Sequence, residues 1–185
     1  MSLINLIIEP RERDLGGFSV KRILPSSKVL MVGPFIFLDH MGPASFDKDQ
    51  GIDVRPHPHI GLATVTYLFQ GELIHKDSLG SNQAILPGSV NWMTAGSGIT
   101  HSERTGLFER TKPHIAHGLQ SWVALPKEYE EINPEFFHYS KEELPQFKHK
   151  NIDIKIICGK AFDYESPVKI YSPMFYIEIK MPQDS

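Results

Sequence analysis

The chain has 185 residues, of which 41% are hydrophobic and 22% charged, an ordinary globular composition that excludes a disordered protein. This length suits one sizeable domain, or one domain and a fragment of another. The net charge of −3 and the scattered Lys and Arg residues give no electrostatic basis for binding nucleic acid or a membrane surface.

The cysteine content and the first residues favour a cytoplasmic protein. Cys158 is the single cysteine, so no internal disulfide can form and a reducing compartment is expected. A buried strand position suits it better than a reactive thiol does. The N-terminal segment MSLINLIIEPRERD has no basic region before its short apolar stretch. We therefore expect neither a signal peptide nor a membrane span.

The first 125 residues have the pattern of short strands separated by turns. Runs rich in β-forming residues alternate with Gly and Pro at intervals of roughly ten residues, which is typical of an antiparallel sandwich or barrel. In chain order, the predicted strands lie within residues 18–24, 61–71, 71–78, 83–96, 98–104 and 118–125.

The pattern changes at residue 126. Residues 126–147 are acidic and interrupted by proline, and SKEEL at 140–144 resembles a capped helical turn. We predict a partly helical linker over 126–147 that leads away from the first β unit. Two further strand-like runs follow at 151–159 and 168–181.

Two histidines in VRPHPHIG have the spacing of a chelating pair. Pro56 and Pro58 favour an extended backbone, and in a strand the side chains of residues i and i+2 lie on one face. His57 and His59 therefore point the same way, and the prolines place them near the start or edge of a strand. An HxH pair alone is more often a surface feature than a metal site.

A second pair with the same spacing follows in AGSGITHSE. His101 and Glu103 come after a glycine-rich turn, and with the first pair they make a set of three imidazoles and one carboxylate. This set suits Fe, Mn, Ni, Cu or Zn. A cross-strand polar network of His101 and Glu103 on an exposed face is the alternative.

Three more residues are candidates for supporting roles around the predicted site. His75 and Asp77 are again i and i+2, and they are placed either beside the ligands, fixing an imidazole tautomer, or on a charged strand facing solvent. Gln120 in GLQSW is a candidate for lining a cavity. Four large apolar residues are expected mainly in the core, although one of them is a candidate substrate contact: Trp92, Trp122, Phe69 and Met93.

At these residues the sequence resembles the pirin family of the cupin superfamily. His57 and His59 fit the first cupin motif, but Thr64 stands where that motif has its glutamate. Gly88, Thr94 and Gly96 follow the second motif, with its histidine displaced to His101. Pirins lack the first-motif glutamate and supply one two residues after the last histidine, which is Glu103 here. The stretches HPHIGLATVTYLFQGELIHKDSLGS and PGSVNWMTAGSGITHSE resemble pirins closely.

The resemblance implies an all-β fold, a cupin-type antiparallel β-barrel (double-stranded β-helix or jelly roll) with a partial second cupin unit. It divides the chain into a metal-binding N-terminal barrel (1–125), the linker (126–147) and the start of a truncated second cupin domain (148–185). Strand edges left open there require cover, from a partner protein, a second copy of the chain or the tail itself.

The resemblance also implies a function. His57, His59, His101 and Glu103 would hold one divalent metal, most often Fe(2+), and Glu103 would accept a proton in catalysis. The implied activity is of the quercetin 2,3-dioxygenase type, with a flavonol-like substrate and O2. Two alternatives stay open: a metal-binding regulator of a partner enzyme or transcription factor, and a remnant without activity.

Overall fold

A computed structural model describes residues 3–183 of the chain. This part is almost entirely β, with fifteen strands and two 3-10 helices of three residues each, Glu109–Thr111 and Lys127–Tyr129. The prediction of an all-β fold is confirmed. The strands are β1 (Arg11–Asp14), β2 (Ser19–Leu24), β3 (Phe35–Phe46), β4 (Asp53–His59), β5 (Leu62–Gln70), β6 (Leu73–Asp77), β7 (Asn82–Ile85), β8 (Val90–Thr94), β9 (Ile99–Arg104), β10 (His114–Ala124), β11 (Glu135–Tyr139), β12 (Gln146–His149), β13 (Ile152–Ala161), β14 (Tyr164–Glu165) and β15 (Phe175–Lys180).

Two antiparallel sheets form the barrel. The larger has the strand order β1-β2-β3-β10-β5-β8-β11, and the smaller has the order β4-β9-β6-β7. Apolar side chains from both sheets meet between them and form a shared core, which contains Phe18, Val20, Met41, Phe46, Ile52, Leu68, Leu73, Ile85 and Ala116. Burial of this core is the main favourable term that holds the sheets together.

The C-terminal strands build a third sheet on the outer face of the larger one. In it β13 pairs with β12, β14 and β15. A second core, containing Val65 and Trp92 of the larger sheet and Ile157 and Cys158 of β13, lies between the two layers. Burial raises the pKa of the Cys158 thiol to about 12, which agrees with the expected structural role of this residue. Whether these strands begin a second cupin unit stays a prediction.

The expectation of a partly helical linker over 126–147 is wrong in most of its length. Its helical part is the 3-10 turn Lys127–Tyr129, while Glu135–Tyr139 forms β11, the edge strand of the larger sheet. At 140–144 the Glu143 carboxylate accepts a hydrogen bond from the Ser140 backbone N–H, but the chain makes a turn and no α-helix. Pairing with β8 outweighs the local helical preference of this segment.

Within residues 3–183, no helix has both the length and the apolar character needed to cross a lipid bilayer.

Candidate metal centre

The two predicted pairs lie on neighbouring antiparallel strands of the smaller sheet. His57 and His59 belong to β4, the edge strand, while His101 and Glu103 belong to β9, and His57 stands directly opposite His101. Pro56 and Pro58 are tolerated there because an edge strand needs fewer backbone donors. The pair lies in the second half of the strand, so the expected edge position is observed, while a start position is not.

The turn before β9 depends on one glycine. Gly96 adopts a φ of +51°, and a Cβ at this position would collide with the carbonyl oxygen of Ile132. Only glycine combines this backbone conformation with such a close approach. The turn thereby leads the chain from the buried strand β8 into β9, which carries His101 and Glu103 and lies beside β4.

The side chains of the pairs converge inside the barrel. His59, His101 and Glu103 are buried and His57 is half-buried. Two groups have ligand atoms within 4.8 Å of one another: His57, His59 and His101 form one, and His75, His101 and Glu103 form the other. The groups share His101 and together contain the four predicted ligands. The assignment of those four as the ligands stays a prediction.

Hydrogen bonds determine which ring nitrogens carry protons. His57 Nδ1 lies 2.8 Å from the Arg55 carbonyl oxygen and must donate to it, which leaves His57 Nε2 unprotonated in a neutral ring. His75 Nε2 lies 2.9 Å from the Asp77 carboxylate and donates in the same way. In a neutral His75 ring Nδ1 is then an acceptor, so His101 Nδ1, 3.3 Å away, donates to it. His101 Nε2 is therefore also unprotonated.

Two lone pairs therefore face each other, because the Nε2 atoms of His57 and His101 lie only 3.1 Å apart. The buried Nε2 of His59 has no hydrogen-bond partner. Two nitrogens that each bind one ion at about 2.1 Å and at right angles are about 3 Å apart, so the spacing fits a shared cation. Three ring nitrogens that lack protons or partners are what a bound metal would satisfy.

Burial keeps two of these rings neutral. Desolvation, with the neighbouring histidines His101 and His57, lowers the pKa of His59 to about 4. Desolvation, with His57 and His75, lowers the pKa of His101 to about 3. A neutral imidazole is the form that binds a metal, so both rings are ready to bind at neutral pH.

The supporting residues His75 and Asp77 lie inside the protein, next to the predicted ligands. Asp77 accepts hydrogen bonds from His75 and from the backbone N–H groups of Leu79 and Ser81. Burial alone raises the pKa of Asp77, but the hydrogen bonds from His75 and Ser81 outweigh it and the pKa is lowered. The carboxylate thus stays charged and orients His75, which in turn orients His101.

Gln120 takes part in a second chain of contacts that ends at Glu103. Thr66 Oγ1 lies 2.7 Å from Glu103 Oε1 and 2.8 Å from the side-chain oxygen Oε1 of Gln120. A cavity of about 200 Å³ lies beside these residues. Gln120, His57, Glu103 and Trp122 all line it, whereas Trp92 does not.

Sequence reasoning missed two contacts of this site. Thr66 was not recognised, although it lies on β5 two residues after Thr64 and shares its inward face. Phe136 of β11 stacks on His75 with ring centroids 4.1 Å apart. No local signal indicated Phe136, because its segment was predicted to be a linker.

Comparisons with known proteins agree with this geometry. Residues 17–123 match the family model described as Pirin. A pirin-like protein of Caulobacter vibrioides is 53% identical over 95% of this chain and 62% of its own. The crystal structure of a quercetin 2,3-dioxygenase from Acinetobacter baumannii superimposes with a TM-score of 0.86 at 38% identity, covering 92% of this chain and 55% of that one.

A second solved structure extends the comparison. The pirin YhhW of Escherichia coli, solved in complex with nickel(II), has a TM-score of 0.61 at 17% identity over 82% of this chain and 70% of its own, and shows a shared fold. The chain thus spans between 55% and 70% of the length of these relatives. The family match covers more than half of the chain and shows that the chain belongs to the pirin family, in agreement with its cupin-type barrel.

Proposed function

We propose that this chain is a metal-dependent oxidoreductase that cleaves a flavonol-like substrate with O2, as quercetin 2,3-dioxygenases do. The observation that carries the proposal is the close approach of His57 Nε2 and His101 Nε2, which lie 3.1 Å apart beside a cavity. The similarity to the Acinetobacter quercetin 2,3-dioxygenase supports the substrate class.

His57, His59, His101 and Glu103 would hold the metal, and we propose Fe(2+) as its identity. Three imidazoles and a carboxylate also suit Mn, Ni, Cu and Zn, and the Escherichia coli pirin binds nickel(II). A bound iron would supply a Lewis acid for a substrate oxygen and an electron for the reaction with O2.

The protein's own residues bind and deprotonate the substrate. Leu73, Val54 and Trp122 give the cavity apolar walls for an aromatic ring. Glu103, on the same wall, is placed to accept the proton of a substrate hydroxyl group. The Thr66 hydroxyl donates to one oxygen of Glu103, which leaves the lone pairs of the other oxygen for the metal and for this proton.

Oxygen uptake with quercetin tests the proposal. Iron-loaded protein should consume O2 in the presence of quercetin, and Glu103→Gln should reduce the rate by about a hundredfold or more, because a general base contributes about that much. A non-catalytic regulator would bind iron yet consume no O2 in either form. A remnant would show neither iron binding nor uptake.

The proposal includes a cytoplasmic location, which the buried, unpaired Cys158 supports. Phe175 and Ile179 are exposed apolar residues of β15. It stays a prediction that a protein partner or a second copy of the chain covers them.

A further inference from the structure

A row of four polar side chains crosses the inner face of the larger sheet. Arg22 of β2 stands opposite Asp39 of β3, Asp39 opposite Gln120 of β10, and Gln120 opposite Thr66 of β5. All four thus occupy one rung of the sheet. Strands lie about 4.8 Å apart, so the row spans roughly 14 Å between the outer Cα atoms.

One end of the row reaches the candidate metal centre. The Thr66 hydroxyl has a single proton, which it donates to the acceptor-only Glu103 carboxylate. The Gln120 side-chain oxygen Oε1 lies 2.8 Å from the same Thr66 hydroxyl. Both N–H groups of the Gln120 amide are left for the cavity that this residue lines.

The other end of the row is a preorganised guanidinium group. Arg22 donates two hydrogen bonds, of 2.9 and 2.8 Å, to the buried Asp39 carboxylate. Its Cζ atom lies 4.4 Å from the centroid of the Phe37 ring, which stacks on Trp122 at 4.1 Å. Three of the five guanidinium donors remain, and Arg22 lines the same cavity as His57 and Glu103.

The charges of the row limit what these donors can bind. Asp39 already balances the charge of Arg22, and a ligand carboxylate would meet the carboxylates of Asp39 and Glu103 on the cavity wall. An uncharged hydroxyl or carbonyl oxygen accepts the free N–H groups without that repulsion. The stacked rings of Phe37 and Trp122 suit a planar aromatic ligand.

We propose that Arg22 and Gln120 form a second oxygen-binding subsite, which recognises an uncharged hydroxyl or carbonyl oxygen of a planar aromatic substrate at the end of the cavity away from the metal-binding group. This inference rests on the proposed function and deepens it. The substrate class is an aromatic compound with one oxygen group for the metal and another, on a separate part of the molecule, for Arg22.

Two flavonols that differ only in their additional hydroxyl groups test the subsite. Quercetin and 3-hydroxyflavone share the 3-hydroxyl and 4-carbonyl groups, but 3-hydroxyflavone lacks the remaining hydroxyls. Their affinities would be measured by calorimetry under anaerobic conditions with iron-loaded protein. The variants are Arg22→Lys and the double variant Arg22→Gln with Asp39→Asn, which leaves no unpaired buried charge. Lys21→Gln is the control, because Lys21 is exposed on the other face of β2.

We expect the double variant to weaken quercetin binding by about tenfold or more and to leave 3-hydroxyflavone binding within about twofold, since one hydrogen bond to a charged donor is lost. Arg22→Lys should weaken quercetin binding less, and Lys21→Gln should change neither affinity. Equal losses for both flavonols, or no loss, in a variant with unchanged circular dichroism would overturn the subsite alone. If the wild type binds 3-hydroxyflavone but gains nothing from the extra hydroxyls of quercetin, the subsite also falls. Binding of neither flavonol to the wild type would overturn the subsite and the proposed function together.

Discussion

His57 Nε2 and His101 Nε2 lie 3.1 Å apart, and each ring donates a hydrogen bond through its other nitrogen. When the rings are neutral, both facing nitrogens therefore carry lone pairs, which repel each other unless a cation lies between them. The protein builds this arrangement from the Arg55 carbonyl oxygen on one side and from the Asp77–His75 pair on the other. Metal binding would relieve the repulsion that the fold imposes.

Loss of the Asp77 carboxylate should weaken metal binding. In Asp77→Asn the side chain no longer fixes the proton on His75 Nε2, so the orientation of His101 is less well defined. We expect the metal affinity to fall by roughly 10- to 100-fold, as is usual for residues that orient a ligand. Competition with a chelator measures this. Lys76→Gln is the matched control, because Lys76 lies on the same strand and faces solvent. An equal loss of metal affinity in that variant would contradict the role of Asp77 in orienting His75 and His101.

Thr66→Val should disturb Glu103 while the size of the side chain is kept. The variant removes the donor that lies 2.7 Å from the carboxylate, at a cost of about 1.5–3 kcal/mol for a hydrogen bond to a charged group. We expect weaker metal binding and a lower rate of oxygen uptake, with both restored by Thr66→Ser. Thr64→Val, two residues earlier on the same strand, is the control. The role assigned to Thr66 is wrong if Thr66→Val binds metal as the wild type does.

Phe136→Ala should weaken metal binding, although Phe136 lies outside the two cupin motifs. It removes the ring that stacks on His75, and we expect a loss of about 1–3 kcal/mol in the free energy of unfolding together with weaker metal binding. Phe137→Ala changes the neighbouring, exposed ring and should leave metal affinity unaltered. Chemical denaturation and chelator competition measure the two effects. Unchanged affinity in Phe136→Ala would show that β11 does not support the site.

The metal-free protein should lose stability as the pH falls from 6.5 towards 4. The pKa of His59 is about 4 and that of His101 about 3 in the folded state, below the ordinary value of 6.5. In this range the unfolded chain binds protons that the folded protein does not, so stability rises with pH. Each histidine contributes a slope of up to about 1.4 kcal/mol per pH unit. Denaturation at several pH values should show a smaller slope in His59→Gln, whereas His149→Gln, at an exposed position, should keep the full slope.

The two strands that carry the candidate ligands could be predicted because the patterns that indicate them lie within a few neighbouring residues. The HxH pair between prolines, and His101 with Glu103 after a glycine turn, carry their spacing within a few residues. By contrast, β3 was not predicted, because Gly42 and Pro43 interrupt its apolar run. The place of Phe136 depends on the pairing of β11 with β8, a contact between distant parts of the chain that local patterns do not encode.

Arg22 could be predicted only in part from the sequence. It lies in the predicted strand 18–24, at the same parity as the buried Phe18 and Val20, so a charged side chain on an inward face was visible in the sequence. Its partner Asp39 lies on β3, the strand that was not predicted. The charge pair therefore became recognisable only once the register of β2 and β3 was known.

Elemental mass spectrometry of untagged protein tests most directly whether the convergent histidines and Glu103 bind a metal. The wild type should contain about one iron per chain and His101→Ala should contain almost none, while His149→Gln, at an exposed position, should match the wild type. Little metal in the wild type after purification and after anaerobic incubation with Fe(2+), or equal metal in the wild type and His101→Ala, would contradict the account.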